Sequence, residues 1–160
     1  MQKIRFLTAK ESRELLDSVH EQWGAECHFL LGEFAMVRSS KDKIYLVSRG
    51  VQNIDLTVLR MDSLGMYFAE VRDNNLRLSI EGAQLVGPFA TKNIVELTKE
   101  ELTQWLKGED VQKKGDWKEF VILKHGKDIV GSGKYSEGII YNFVPKVRRV
   151  KELILSEKLK

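Results

Sequence analysis

The chain has 160 residues, 42% of them hydrophobic and 31% charged, with a formal net charge of +3. That balance belongs to a soluble globular protein of one ordinary domain or two small ones, and excludes a disordered polyelectrolyte. No apolar run approaches the roughly 20 residues of a bilayer span, so no membrane partner is expected. The start, Met1-Gln2-Lys3-Ile4-Arg5-Phe6, lacks the apolar core of a secretory signal, and a cytoplasmic location is the expectation.

The first element is a helix. Thr8 and Glu11 have capping-box spacing, Leu15, Leu16, Val19 and Trp23 fall on one face, and Gly24 stands where the helix must end. Lys10, Arg13, Glu14, Asp17 and Glu21 occupy the opposite face. Short strands are expected at 27–31, 34–38 and 44–47, with a polar turn at 39–43, while 48–59 reads ambiguously and has room for a short helix. Strands at 65–71 and 76–80 flank Arg72-Asp73-Asn74-Asn75, a hairpin turn because Asp and Asn tolerate positive φ. Leu76, Leu78 and Ile80 alternate with Arg77 and Ser79, which predicts one solvated sheet face. A turn of helix at 81–86 precedes Gly87-Pro88, and a boundary is placed at 88–93.

The second half repeats the opening device. Thr98 and Glu101 form another capping box, Leu97 can staple onto Leu102, and Leu102, Trp105 and Leu106 share a face that Gly108 terminates. After a charged loop come three strands. The first is Phe120-Val121-Ile122-Leu123, turning at His125-Gly126-Lys127; the second runs from Ile129 through Gly131-Ser132-Gly133 to Tyr135. Ser136-Glu137-Gly138 turns into the third, at 139–144, and Pro145 stops it. A small antiparallel sheet or barrel follows from that pattern. The run at 152–155 reads as a final strand or a frayed helix.

Charge is distributed unevenly. The first ninety residues hold eleven basic and twelve acidic groups, whereas 118–151 holds eight basic and three acidic ones, a local +5. Such a surplus suits a polyanion-facing surface. The candidate phosphate contacts are Lys127, Lys134, Lys146, Arg148, Arg149 and Lys151, the arginines foremost because a planar guanidinium matches phosphate bidentately. Tyr135 is the candidate stacking residue, Phe143 is assigned to the core, and Gly131 and Gly133 would let a polyanion's backbone or a base approach the main chain. Strand alternation through Val147-Arg148-Arg149-Val150 would point the two arginines to opposite sides.

Catalytic signatures are missing. Cys27 is the sole cysteine, and it and His28 would face opposite sides of a strand; the histidines His20, His28 and His125 are scattered, so no metal site is expected. The chain has no phosphate loop, dinucleotide fingerprint, nucleophile elbow, HExxH helix or Gly-rich adenosylmethionine loop. No catalytic residue and no cofactor is expected.

Residues 93–152 resemble a PUA domain, through Glu96-Leu97-Thr98-Lys99-Glu100-Glu101, Trp105-Leu106-Lys107-Gly108-Glu109-Asp110, Val121-Ile122-Leu123, Gly131-Ser132-Gly133-Lys134 and Asn142-Phe143-Val144-Pro145-Lys146-Val147-Arg148-Arg149. The second and last strings look closest to the PUA-like extension of Fmu/Sun-type rRNA cytosine methyltransferases. Ile4-Arg5-Phe6-Leu7-Thr8-Ala9-Lys10-Glu11, Lys43-Ile44-Tyr45-Leu46-Val47-Ser48 and Ser63-Leu64-Gly65 look like the N-terminal domain of Nip-seven-like ribosome-biogenesis factors. The resemblance implies an α+β chain: an N-terminal α/β domain with a mostly antiparallel sheet over 1–90, then a PUA-like mixed β-barrel domain over 91–160. It also implies a non-catalytic RNA-binding factor in ribosome biogenesis, with rRNA or pre-rRNA as partner. The alternative is a protein-docking adaptor, or an RNA-targeting subunit acting in trans for an rRNA methyltransferase. Ribosome-assembly proteins or that methyltransferase would then be the protein partners.

Overall fold

The structure, a computed structural model, describes residues 3–50 and 65–150. The ambiguous segment beyond Gly50, the run at 152–155 and the candidate cation Lys151 lie outside the described residues. The fold is mixed α+β. In the first half the elements are β1 (Ile4–Phe6), α1 (Ala9–Trp23), β2 (Phe34–Ser39), β3 (Lys43–Ser48), β4 (Gly65–Arg72), β5 (Asn75–Leu78) and α2 (Ile80–Val86). In the second they are β6 (Ile94–Glu96), α3 (Lys99–Leu106), β7 (Val111–Gln112), β8 (Glu119–His125), β9 (Asp128–Ser136) and β10 (Ile139–Asn142).

Strands β1 to β5 form an antiparallel sheet in sequence order. Local chemistry sets its turns. Ser39 Oγ accepts from the backbone N–H of Lys41 and Lys43, closing the β2–β3 turn around Asp42, whose φ is 62°. Asp73 and Asn74 take φ of 48° and 67°, the paired left-handed residues of a two-residue hairpin. The second sheet runs β6-β8-β9-β10-β7, antiparallel except for β6 beside β8, and among the described residues it is a curled half-barrel with β6 and β7 at its edges. Between β6 and β8 the chain passes through α3 and β7, a connection long enough for the parallel pairing of β6 with β8.

Both capping boxes form: Glu11 N–H to Thr8 Oγ1 and Glu101 N–H to Thr98 Oγ1 are each 3.1 Å, with the glutamates reaching back. Gly24 ends α1 in the left-handed region at φ 67°, the conformation of a helix C-cap that a Cβ disfavours. Leu16, Val19 and Trp23 are buried, whereas Leu15 is only partly so.

Two expectations fail. The stretch at 27–31 is not a strand; His28–Gly32 is a 3-10 turn, with Phe29 exposed and Leu30 buried. Its apolar residues come in a run rather than in alternation, so one turn buries Leu30 without a sheet partner. The face carrying Arg77 is not left to water either. Arg77 pairs with Glu70 at 3.0 Å and lies 4.6 Å over the Phe143 ring, so the second half covers that part of the first sheet.

One apolar core joins the halves: Leu16, Val19, Trp23, Phe68 and Leu78 share it with Phe120 and Ile122. Polar ties cross the same boundary. Trp23 Nε1 donates to Phe120 O at 3.1 Å, Asn93 Nδ2 to Gln22 O at 2.6 Å, and Ser132 Oγ to Leu78 O at 2.5 Å. A smaller core of Val95, Leu97, Leu102, Trp105, Val121 and Ile140 lies beneath α3 on the other face of the second sheet.

Candidate nucleic-acid interface

The chain leaves β10 as a strap, Val144 to Val150, across the end of α3. Asn142 anchors its start: its side-chain amide donates to Trp105 O at 2.8 Å and Glu109 O at 3.0 Å, and its Oδ1 accepts from Val144 N–H at 2.7 Å. Val150 N–H donates to Leu106 O at 2.8 Å and fixes the end. Between them Pro145 enters a 3-10 turn, Lys146–Arg148, rather than the alternating strand expected there. The two arginines do part, but through this turn. Arg148 Nη1 meets Glu81 Oε1 at 2.5 Å, while Arg149 Nε donates to Val144 O at 3.0 Å on the other side.

On the Arg149 side the strap and the C-terminal end of α3 enclose an open cleft lined by Lys107, Lys146, Arg149 and Val150. Lys107 is the C-cap of α3, where a cation complements the partial negative charge of the helix end. Among the described residues no ion pair engages Lys107, Lys146 or Arg149. Three cations without an ion pair among the described residues share one concave site, an electrostatic seat for phosphates.

Among the described residues, the remaining sequence candidates do not line this cleft. Lys127 sits in the β8–β9 turn, and Lys134 is seven residues along β9, roughly 20 Å away at strand rise. Lys134 lies 5.9 Å over the Phe120 ring. Tyr135 is half-buried and structural: its ring stands edge-on to Trp117 at 5.4 Å and its hydroxyl accepts from Gly115 N–H at 3.2 Å. Gly133 does not open the main chain to a ligand, because the indole of Trp105 fills that space, with Cη2 2.6 Å from where a Cβ would stand. Phe143 packs on the core as expected.

Two contributors escaped the sequence. Lys107 was legible only as part of a helix end. Tyr141 is 40% exposed and directly opposite Lys134 on β9, so an aromatic ring and a cation share that sheet face. Counting charge also overcounted. Within 118–151 Lys124 lies 4.0 Å from Glu96 and Arg148 2.5 Å from Glu81; just outside that count, Lys113 donates to Glu101 at 2.8 Å and to Glu96 O at 2.7 Å. Burial opposes ionisation of Glu101, yet Lys113 and the Thr98 N–H hold its carboxyl below the ordinary value.

On the Arg148 side of the strap a second cleft, of about 80 Å³, opens between the two sheets. Tyr67, Ile80, Glu81, Trp105, Phe143 and Arg148 are among its lining residues, with Gly131 at its floor. Gly131 takes φ 145°, beside the β-bulge where Leu123 and Lys124 change register. The Trp105 indole N–H is buried here without a hydrogen-bond partner, and the buried Tyr67 hydroxyl has Arg77 facing its oxygen but no acceptor for its own proton. Burial pushes the Tyr67 hydroxyl up from its ordinary pKa, and Arg77 opposes that shift.

Nothing in the described residues assembles a metal centre: no group of three His, Cys, Asp or Glu side chains comes together. Burial pushes the Cys27 thiol up to about 11, which keeps it protonated and unreactive. His28 pairs with Asp17 at 2.8 Å and with Glu26 on the surface.

Residues 92–150 match the family model of the methyltransferase RsmF PUA domain. The chain is also similar to curated proteins called ribosomal RNA small subunit methyltransferase F. That of Vibrio parahaemolyticus is 30% identical over 158 aligned residues, covering 91% of this chain and 31% of the relative. That of Vibrio campbellii is 31% identical over 94 residues, covering 55% of this chain and 20% of the relative. The chain thus spans about a third or less of the length of the curated relatives it matches. A match over 91% of the chain takes in most of the first half too, so the likeness to methyltransferases extends beyond the PUA region.

Proposed function

Starting from the likeness of residues 92–150 to the RsmF PUA domain, we propose that this chain is an RNA-holding module that presents small-subunit ribosomal RNA for methylation without catalysing it. The observation that carries this reading is the cleft of Lys107, Lys146 and Arg149, three cations inside the matched region with no ion pair among the described residues. A guanidinium and two ammonium groups around a concave surface neutralise neighbouring phosphates and fix register, while specificity comes from elsewhere. Arg148 contributes less, because Glu81 already neutralises it. The division into units of 1–90 and 91–160 belongs to the same reading, supported by the change of sheet between Leu78 and Ile94. So does a place in ribosome biogenesis, in the cytoplasm.

The test is photocrosslinking of the purified protein to single-stranded fragments of small-subunit rRNA, with mass spectrometry of the linked peptides. Crosslinks at 105–108 and 144–150 are expected. Efficient crosslinks confined to the first half would overturn the assignment of the interface.

A second reading has its own observation. Phe29 and Phe89 are both exposed and meet edge-to-face at 5.2 Å, an aromatic pair on the first half suited to docking a protein such as the methyltransferase itself. Capture of that enzyme that survives nuclease and is lost in a Phe29→Ser/Phe89→Ser variant would support the adaptor.

A further inference from the structure

We propose that the cleft between the sheets, on the Arg148 side of the strap, receives the edge of one unstacked pyrimidine base of a single-stranded RNA. This deepens the RNA-holding reading and rests on it for the source of the base. The argument starts from two polar atoms. Of the two fully buried tryptophans, Trp23 has its indole N–H satisfied by Phe120 O, and Trp105 does not. The Tyr67 hydroxyl in the same cleft has Arg77 facing its oxygen but no acceptor for its own proton. A folded protein leaves few such groups, because each costs the full desolvation of a donor that finds nothing in return. A ligand bearing carbonyl oxygens would satisfy both.

The rest of the lining selects among such ligands. The charged groups at the cleft cancel in pairs: Arg77 with Glu70 at 3.0 Å and Arg148 with Glu81 at 2.5 Å. A neutral ligand therefore fits better than a free oxyanion, and the phosphates of the same strand have the cations across the strap. The walls at Ile80, Phe143 and Val144 are apolar, as the faces of a planar ring require. A cavity of about 150 Å³ encloses a benzene ring, so this cleft of about 80 Å³ admits one carbonyl-bearing edge of a single-ring base rather than the whole ring. Gly131 keeps the floor low: a Cβ there would stand 3.8 Å from the Trp105 N–H and 3.5 Å from Ile80. Recognition of splayed-out bases is how proteins read RNA sequence, since the A-form major groove admits no side chain.

The experiment follows the Trp105 indole N–H by NMR. Its resonance is assigned by its loss in Trp105→Phe, or by through-space contacts to Gly131 and Ile80 should that variant not fold. Short RNAs of uridine and cytidine are titrated in, with the same backbone made abasic as comparison. The expected result is a shift of this resonance with the pyrimidine RNA and none with the abasic RNA. Tyr67→Phe should weaken the pyrimidine RNA by up to about tenfold while leaving the salt dependence unchanged. Equal binding of both RNAs with the indole N–H unmoved overturns the pocket and leaves the phosphate surface standing. Failure of any RNA to bind overturns the RNA reading instead. The pocket is then decided by free uridine and cytidine: a shift sustains it, and no shift overturns it.

Discussion

Removing the three cations of the strap cleft should change how binding depends on salt more than it changes the fold. The perturbation is Lys107→Gln, Lys146→Gln and Arg149→Gln together. None of the three is ion-paired among the described residues, so no partner is stranded when the charges go. The main structural loss is the 3.0 Å bond from Arg149 Nε to Val144 O, which a Gln amide can partly replace. If each cation meets one phosphate, a single strand contributes about 0.7 log units of salt slope per contact, or about 2 for the three. Between 50 and 200 mM salt the wild type should therefore lose roughly twentyfold more affinity than the variant. Fluorescence anisotropy with a labelled single-stranded rRNA fragment measures this directly, with circular dichroism to establish that the variant is folded. Lys127→Gln, at the far turn of the β8–β9 hairpin, is the control and should leave the slope unaltered. A folded triple variant with the wild-type slope refutes the placement of phosphates in this cleft.

Other outcomes follow from the same structure. Gly133→Ala should destabilise the fold by about 1–3 kcal/mol, since the new methyl meets Trp105 and the Tyr141 carbonyl at 2.6 and 2.8 Å; urea unfolding reads it. Thr98→Ala should cost about 1 kcal/mol by uncapping α3, measured the same way. The Arg5 guanidinium, helped by the Thr8 N–H, holds the Glu11 carboxyl down to about 2 from an ordinary 4.5. A depressed carboxyl stabilises the fold above its unfolded pKa and loses that contribution as pH falls from 4.5 through about 2; an NMR titration should find the low midpoint, and Arg5→Gln should move it back toward 4.5. The buried Cys27 thiol, pushed up to about 11, should resist alkylation by iodoacetamide in the native protein and react in urea; rapid native labelling would contradict its burial.

Much of the secondary structure was legible because it is written in short-range chemistry. The boxes at Thr8–Glu11 and Thr98–Glu101, the Asp73-Asn74 turn, and the β8-β9-β10 meander each depend on residues a few positions apart. The 3-10 turn at 28–32 was misread because an apolar run carries no period to choose between strand and turn. How far the second sheet closes was not legible either, since the approach of edge strands β6 and β7 depends on sheet curvature and not on any one strand. Of the two family resemblances, the likeness to the PUA-like extension of rRNA methyltransferases is the one the comparisons support.

What the amino-acid order determined by itself was the inventory: which residues start helices, where turns fall, and that positive charge is concentrated late in the chain. Tertiary structure decided which of those charges are free to act. Lys113 and Lys124 are spent on glutamates, and Arg148 is held by Glu81 sixty-seven residues away, whereas Lys107 joins Lys146 and Arg149 only because the strap folds back over the end of α3. The reason is physical. Capping and turn formation are local equilibria of the backbone, but an ion's availability depends on its distance to counter-charges brought close by the folded chain.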